Sequence, residues 1–152
     1  DSDPTQSWNE EILEVIKQTD ILFLNETEAK QMTAQKDSEA AIRQLGRYCA
    51  CVVIKLSAKG TMALREGEII TTKGFEVKAV DTTGAGDSFA AGFVHAFLDG
   101  KDLRECLTFG NACGALSTTQ AGGTNAQPNL RQLQDFLASS AISTQMREAK
   151  GN

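Results

Sequence analysis

The chain has 152 residues, 41% of them hydrophobic, a formal net charge of −5 and a pI near 4.9. That length suits one domain with a real core. The acidic balance and the absence of any basic run disfavour nucleic-acid and anionic-membrane partners. No apolar stretch reaches the length of about 18 residues that a membrane helix needs, and no signal peptide is visible. The first residue is Asp1 rather than Met, which suggests a chain processed or excised from something longer. The four cysteines, Cys49, Cys51, Cys106 and Cys113, complete no zinc pattern and read as reduced, mostly buried thiols in a cytoplasmic protein.

In chain order, Ser7-Trp8-Asn9-Glu10 fits a capping box, and Ile12, Val15 and Ile16 follow at helical spacing. Residues 21–24 are a short apolar run, read as a buried strand. Asn25-Glu26-Thr27-Glu28 then opens a short helix ending near Met32. Asp37 or Ser38 caps a helix through Ile42 and Leu45, with Gly46 as its stop. Residues 51–56 are rich in β-branched side chains and read as a second buried strand. Residues 61–65 and 68–72 flank Glu66-Gly67 and predict a hairpin. Residues 76–80 predict a further strand.

A glycine-rich turn follows, Asp81-Thr82-Thr83-Gly84-Ala85-Gly86-Asp87-Ser88-Phe89, and behind it an apolar helix to Leu98. Phe89, Phe93 and Phe97 form a stripe that belongs to a core, and His95, the only histidine, is structural. Gly100 marks a stop. Residues 103–118 predict a helix whose Gly110 and Gly114 favour close packing, with Cys106 and Cys113 on one face. Residues 120–127 are a loop with two glycines. Pro128 and Asn129 start a last helix with Leu130, Leu133, Phe136 and Leu137 turned inward, and residues 139–152 are a polar, frayed tail. Strands alternating with helices imply an α/β layered fold.

The turn carries the chemistry. Small residues at 84–86 let a ligand approach the backbone, and N–H groups at a helix start lack intrahelical acceptors. Such a place suits an anion, phosphate above all. Asp87 in the same turn would repel a bare phosphate. It is either a plain helix-start carboxylate or a base that takes a proton from an attacking hydroxyl. The dinucleotide fingerprint fits poorly, because Phe89 stands where its third glycine should be. No G-x-x-x-x-G-K-[ST] exists, so the chain is not a P-loop enzyme.

Residues 81–93, Asp-Thr-Thr-Gly-Ala-Gly-Asp-Ser-Phe-Ala-Ala-Gly-Phe, resemble the C-terminal signature of the ribokinase-like sugar kinases, the PfkB family. The resemblance runs from about Asp3 to Leu137 and covers the C-terminal half of that family's enzyme. It implies a three-layer α/β/α fold without its N-terminal half and small β lid. Residues 1–138 would be the nucleotide-binding and catalytic-base part. It further implies ATP-dependent phosphorylation of a sugar hydroxyl, with Asp87 as general base and the N–H groups of Gly84, Ala85, Gly86 and Asp87 as anion hole. The isolated chain would be inactive. A non-catalytic nucleotide-binding regulatory domain and a nucleoside kinase of the same family are the alternatives.

Other stretches resemble further family elements. Asn25-Glu26-Thr27-Glu28 is similar to the N-x-x-E element that places Mg²⁺ and phosphates through water, with Asn25 towards the nucleotide and Glu28 towards the metal. Plain helix capping is its other reading. Ile54-Lys55-Leu56-Ser57-Ala58-Lys59-Gly60 resembles the loop along the nucleotide. It departs from the usual pattern at Lys55, where Thr is common, and at Ser57, where Gly is common. Lys55 either meets a phosphate or snorkels to solvent, and Ser57 puts in doubt a geometry that needs glycine. Asn111 either borders the adenine or is an ordinary helix residue. Asp81 and Thr83 resemble the monovalent-cation site, usually K⁺, completed by Ser117, Gln120, Gly122 and Ala126. An open sheet edge left by the absent half makes a homodimer plausible.

Overall fold

The computed structural model describes residues 10–150, with side chains for 12–141. The Ser7–Glu10 capping box lies outside the described residues. The chain divides into two compact units, one ending at Gly74 and the other beginning at Phe75.

The first unit carries helices α1 (Glu10–Lys17), α2 (Glu26–Thr33) and α3 (Ser38–Leu45), and strands β1 (Ile21–Asn25), β2 (Cys51–Lys55), β3 (Thr61–Arg65) and β4 (Glu68–Thr72). A 3-10 turn, Ser57–Lys59, links β2 to β3. The sheet order is β1-β2-β3-β4, with β1 parallel to β2 and the other pairs antiparallel. Side chains alternate across a strand, so register decides which residues share a face. Leu22, Val52, Leu64 and Ile69 form one such row, and Leu24, Ile54 and Met62 the next. These rows meet Ile16, Ala29, Ala41, Ile42 and Leu45 from the helices in a single apolar cluster.

The hairpin turn puts Glu66 at φ 53° and Gly67 at φ 82°, the left-handed pair that matches strand twist. Asp37 caps α3, its carboxylate accepting the Ala40 N–H at 2.8 Å. Gly46 ends α3 in ordinary right-handed geometry. A Cβ there would run into Leu64 Cδ2, so the Leu64 side chain would have to shift to admit one.

The second unit carries α4 (Ala85–Leu98), α5 (Leu103–Ser117) and α6 (Leu130–Lys150). Helices α4 and α5 pack through their small residues. A Cβ on Gly92 would stand 2.6 Å from Cys113 Sγ, and one on Gly110 2.7 Å from the Phe89 ring. Phe89, Phe93 and Phe97 stack in sequence along α4, and Phe93 is fully buried. Leu133 joins Ala112 and Cys113 in a smaller cluster with Phe109, Phe136 and Leu137.

Three expectations change. Residues 76–80 form no strand. A strand needs a ladder partner, and here the Val80 and Asp81 N–H groups both donate to the Thr118 carbonyl, at 2.7 and 3.1 Å. Leu130 is not inward but 48% exposed, because it sits at the open start of α6. That helix continues through Lys150, well past residue 138. No helix among the described residues is long and apolar enough to cross a membrane, and all four cysteines are free and buried.

Candidate active site

Each unit presents one group of the residues singled out above. In the first unit they gather at the carboxyl ends of β1 and β2, where α/β sheets collect ligands. Asn25 and Lys55 are register partners on the two strands. Asn25 caps α2: its side-chain oxygen accepts the Glu28 N–H at 2.8 Å, and Glu28 Oε2 accepts the Asn25 N–H at 2.7 Å. The capping reading of this element is therefore correct in geometry. It is compatible with a metal, because Glu28 Oε1 has no partner among the described residues. One carboxylate suits Mg²⁺, which keeps several of its waters.

Glu26, between them, was not singled out. Its carboxylate is held below the usual range, first by the Lys30 hydrogen bond and then by Ser38, with Lys59 adding a weaker attraction. Its i,i+4 spacing to Lys30 was the available signal.

Past β2 the loop turns tightly. Gly60 N donates to Ser57 O and Leu56 N to Gly60 O. Gly60 has φ 103°, and a Cβ there would meet Gly74 N at 2.6 Å, so both conformation and space demand glycine. Ser57 stands in left-handed geometry with φ 55°. The serine thus adopts the conformation that a glycine would take more easily. Lys55 is half-buried, while Ser57 and Lys59 are exposed.

In the second unit the glycine turn is locked by Asp81. Its Oδ1 accepts the Thr83 N–H at 2.9 Å and its Oδ2 the Gly122 N–H at 3.0 Å. These two backbone donors, Thr83 first, lower the Asp81 pKa. The lock ties residues 81–84 to the loop after α5. Gly84, at φ 73°, lies so close to that loop that a Cβ would stand 2.9 Å from Gly123 O. No larger residue fits there without strain.

Gly84 is the N-cap of α4, so Ala85, Gly86 and Asp87 are its first three residues. Ala85 N–H is taken by Thr82 O at 3.2 Å. Gly86 and Asp87 N–H groups have no acceptor among the described residues and remain open donors. The Asp87 carboxylate is exposed and carries no hydrogen bond. Directly behind it, Ser88 is buried with an unpartnered hydroxyl.

The residues expected to form a cation site come together only in part. Asp81, Thr83 and Gly122 meet in the lock. Ser117 is buried at the end of α5 with its hydroxyl on Gly114 O, Ala126 is buried, and Gln120 is exposed. Asn111 is buried on α5. Sequence reasoning missed Thr118, whose carbonyl holds the segment leading into the turn; a backbone acceptor leaves no trace in residue type.

Known proteins give this arrangement a class. Solved ribokinase-like α/β structures match the chain. Arabidopsis thaliana ribokinase, complexed with ribose and ATP, matches at TM-score 0.77 and 32% identity over 82% of this chain and 43% of its own. Vibrio cholerae fructokinase, bound to fructose, ADP and calcium ion, matches at TM-score 0.77 and 29% identity over 83% and 43%. A double mutant of that fructokinase was solved with potassium ion. In sequence, Haemophilus influenzae ribokinase is 37% identical over 140 residues, 88% of this chain and 45% of the relative. The profile of the pfkB family carbohydrate kinases matches residues 2–130. The chain belongs to that family, and it spans less than half the length of these relatives.

Proposed function

We propose that this chain supplies the nucleotide and catalytic-base part of an ATP-dependent sugar kinase, assigned to residues 1–138. The observation that carries the reading is the start of α4. An exposed, unbonded Asp87 carboxylate follows two open backbone donors at a glycine turn whose shape Gly84 and the Asp81 lock enforce.

Asp87 takes the proton of the acceptor hydroxyl as its oxygen attacks the γ-phosphorus. The open N–H groups of Gly86 and Asp87 stabilise negative charge on the transferring phosphoryl group, helped by the helix dipole. Glu28 would hold Mg²⁺ through water, and the metal would supply charge neutralisation on the phosphates. Asn25, Lys55, Ser57, Lys59 and Gly60 border the nucleotide, and Asn111 faces the adenine. Asp81, Thr83, Ser117, Gln120, Gly122 and Ala126 form a monovalent-cation shelf. A potassium-bound relative supports that assignment, as do the oxygen-rich loop and its carboxylate.

The acidic charge of −5 favours small-molecule partners over nucleic acid. Four buried free cysteines fit the reducing cytoplasm. The outer edge of β1, the strand at the end of the sheet order, is where a homodimer would pair.

The test is a phosphorylation screen of the intact gene product with ATP, Mg²⁺ and a panel of ribose, fructose and other sugars. Release of ADP coupled to a phosphorylated sugar is the expected result. ATP binding without consumption would replace this reading with a regulatory domain, and turnover of a nucleoside alone would replace the sugar with a nucleoside.

A further inference from the structure

A cleft of about 460 Å³ lies at the far end of the sheet from Asn25 and Lys55. Those two residues close β1 and β2, whereas Ala50 in the cleft precedes the first residue of β2. The length of that strand, roughly 13 Å, separates the two places. The cleft has the size of a small-molecule site. Its lining comes from two sides: Arg43, Gly46 and Arg47 at the end of α3, and Leu64 and Glu66 on the β3–β4 hairpin. We propose that this cleft binds a phosphorylated polyol, the guanidinium groups taking the phosphate and the Glu66 carboxylate accepting from a hydroxyl. The proposal goes beyond the reaction assigned to Asp87 and does not depend on it.

The guanidinium groups are not used up within the fold. Arg43 gives Nε and Nη2 to a single oxygen of Glu39, at 3.2 and 2.8 Å, which leaves Nη1 to donate elsewhere. The Arg47 guanidinium has no partner among the described residues. Arginines near a helix C-terminus can serve the helix dipole alone, but that end carries only about half a negative charge. Glu39 offsets Arg43, and Arg47, past the last residue of α3, stays in excess of the half charge. Its planar fork matches phosphate oxygens.

Glu66 narrows the ligand. It stands at φ 53° before Gly67, where asparagine is the easier residue. A side chain held in that geometry costs stability, and such positions gather at ligand sites. Glu66 Oε1 lies 3.5 Å from Arg65 Nε, and Oε2 is left to accept. A carboxylate in the same cleft repels a bare anion. It is of use only to a ligand that brings hydroxyl donors beside its phosphate.

The intact gene product is titrated with ribose 5-phosphate, inorganic phosphate and ribose. Hydrogen exchange read by mass spectrometry locates binding in the peptides that hold residues 43–50 and 64–67. Ribose 5-phosphate should protect both peptides at a lower midpoint than inorganic phosphate, and ribose should protect neither. Arg47→Gln, at an exposed position, should keep the native Tm and raise that midpoint about tenfold. Glu66→Asn should raise Tm, because Asn-Gly suits the turn, and bring the ribose 5-phosphate midpoint up to that of inorganic phosphate. No protection of these peptides in the unsubstituted protein overturns the site, as does an Arg47→Gln midpoint equal to the native one. Equal midpoints for ribose 5-phosphate and inorganic phosphate, or a native midpoint in Glu66→Asn, overturn the hydroxyl contact and with it the polyol.

Discussion

Asp81 and Gly122 are 41 residues apart in sequence, yet the Asp81 carboxylate accepts the Gly122 N–H at 3.0 Å. Its other oxygen accepts the Thr83 N–H. One side chain therefore fixes both the entrance to the glycine turn and the loop after α5. The turn's shape depends on that loop, because Gly84 has room only for hydrogen against Gly123.

The lock has a pH dependence of known sign. The two backbone donors lower the Asp81 pKa in the folded protein below its ordinary 3.8. A group with a depressed folded pKa contributes stability above its unfolded value and loses it as pH falls through the folded one. The lock is thus complete at neutral pH and releases only below about pH 3.8. Hydrogen exchange at Gly122 and Thr83 should show it: protection constant from pH 7 to 4.5 after correction for intrinsic rates, and lost in Asp81→Ala at every pH. Equal protection in that variant would mean the lock does not hold the loop.

Asp87→Asn separates chemistry from binding. Asparagine is nearly isosteric and cannot take a proton. In the intact gene product, turnover should fall about 10²–10⁴-fold, the usual worth of a general base. ATP affinity should hold or rise, since a negative charge beside the phosphates is removed. Initial-rate kinetics and calorimetric ATP titration check the two halves. Turnover within a few-fold of native would remove Asp87 from the base role.

The elements that were legible in the sequence are those set by local rules. Apolar runs at residues 21–24 and 51–54, the Asp37 cap and the Glu66-Gly67 turn each specify their structure within a few residues, and each formed as expected. What was not legible depends on distant partners. Residues 76–80 have strand-like alternation, but the Val80 N–H at their end goes to the Thr118 carbonyl 38 residues later in the chain, and no strand forms. Leu130 carries an apolar side chain at helical spacing, yet it precedes the part of α6 that meets α5. In the site, the left-handed Gly84 at the start of α4 was legible because backbone freedom has few other uses in such a turn; Asp87 was legible only as a carboxylate in the first turn of the helix. The occupation of the Ala85 N–H by Thr82, and of both Asp81 oxygens, were not, since they follow from loop geometry.

Helices α4 and α5 should be intolerant of one added carbon. A Cβ on Gly92 would lie 2.6 Å from Cys113 Sγ and 2.8 Å from Phe109 O, and the backbone oxygen cannot swing away. Gly92→Ala should cost about 1–3 kcal/mol, the usual range for overpacking, and lower Tm by several degrees. Cys113→Ala in the same chain relieves only the sulfur contact and should recover only part of that loss. Full recovery would show that Phe109 O is not a limit.

Cys113 itself should be chemically quiet. Burial raises its thiol pKa to about 11, and the thiolate is the reactive form. Folded protein at pH 8 should leave Cys113 unlabelled by iodoacetamide on the timescale in which the denatured chain reacts fully. Mass spectrometry of the peptide holding Cys113 reads this directly, and rapid labelling in native buffer would contradict its burial.

Ser57 offers a sharper test of the turn after β2. Its φ of 55° lies in the left-handed region, where a side chain costs about 1–2 kcal/mol. Glycine removes that strain but adds about 0.4–1 kcal/mol of unfolded-state entropy, so Ser57→Gly should raise Tm by a degree or two. Ser57→Val places a β-branched residue where left-handed geometry is a true outlier, and it should lower Tm by several degrees. The two together bracket the strain, because both replace the same exposed hydroxyl and differ chiefly in how the backbone tolerates them. A Tm that falls in Ser57→Gly would show that residue 57 is not held in left-handed geometry.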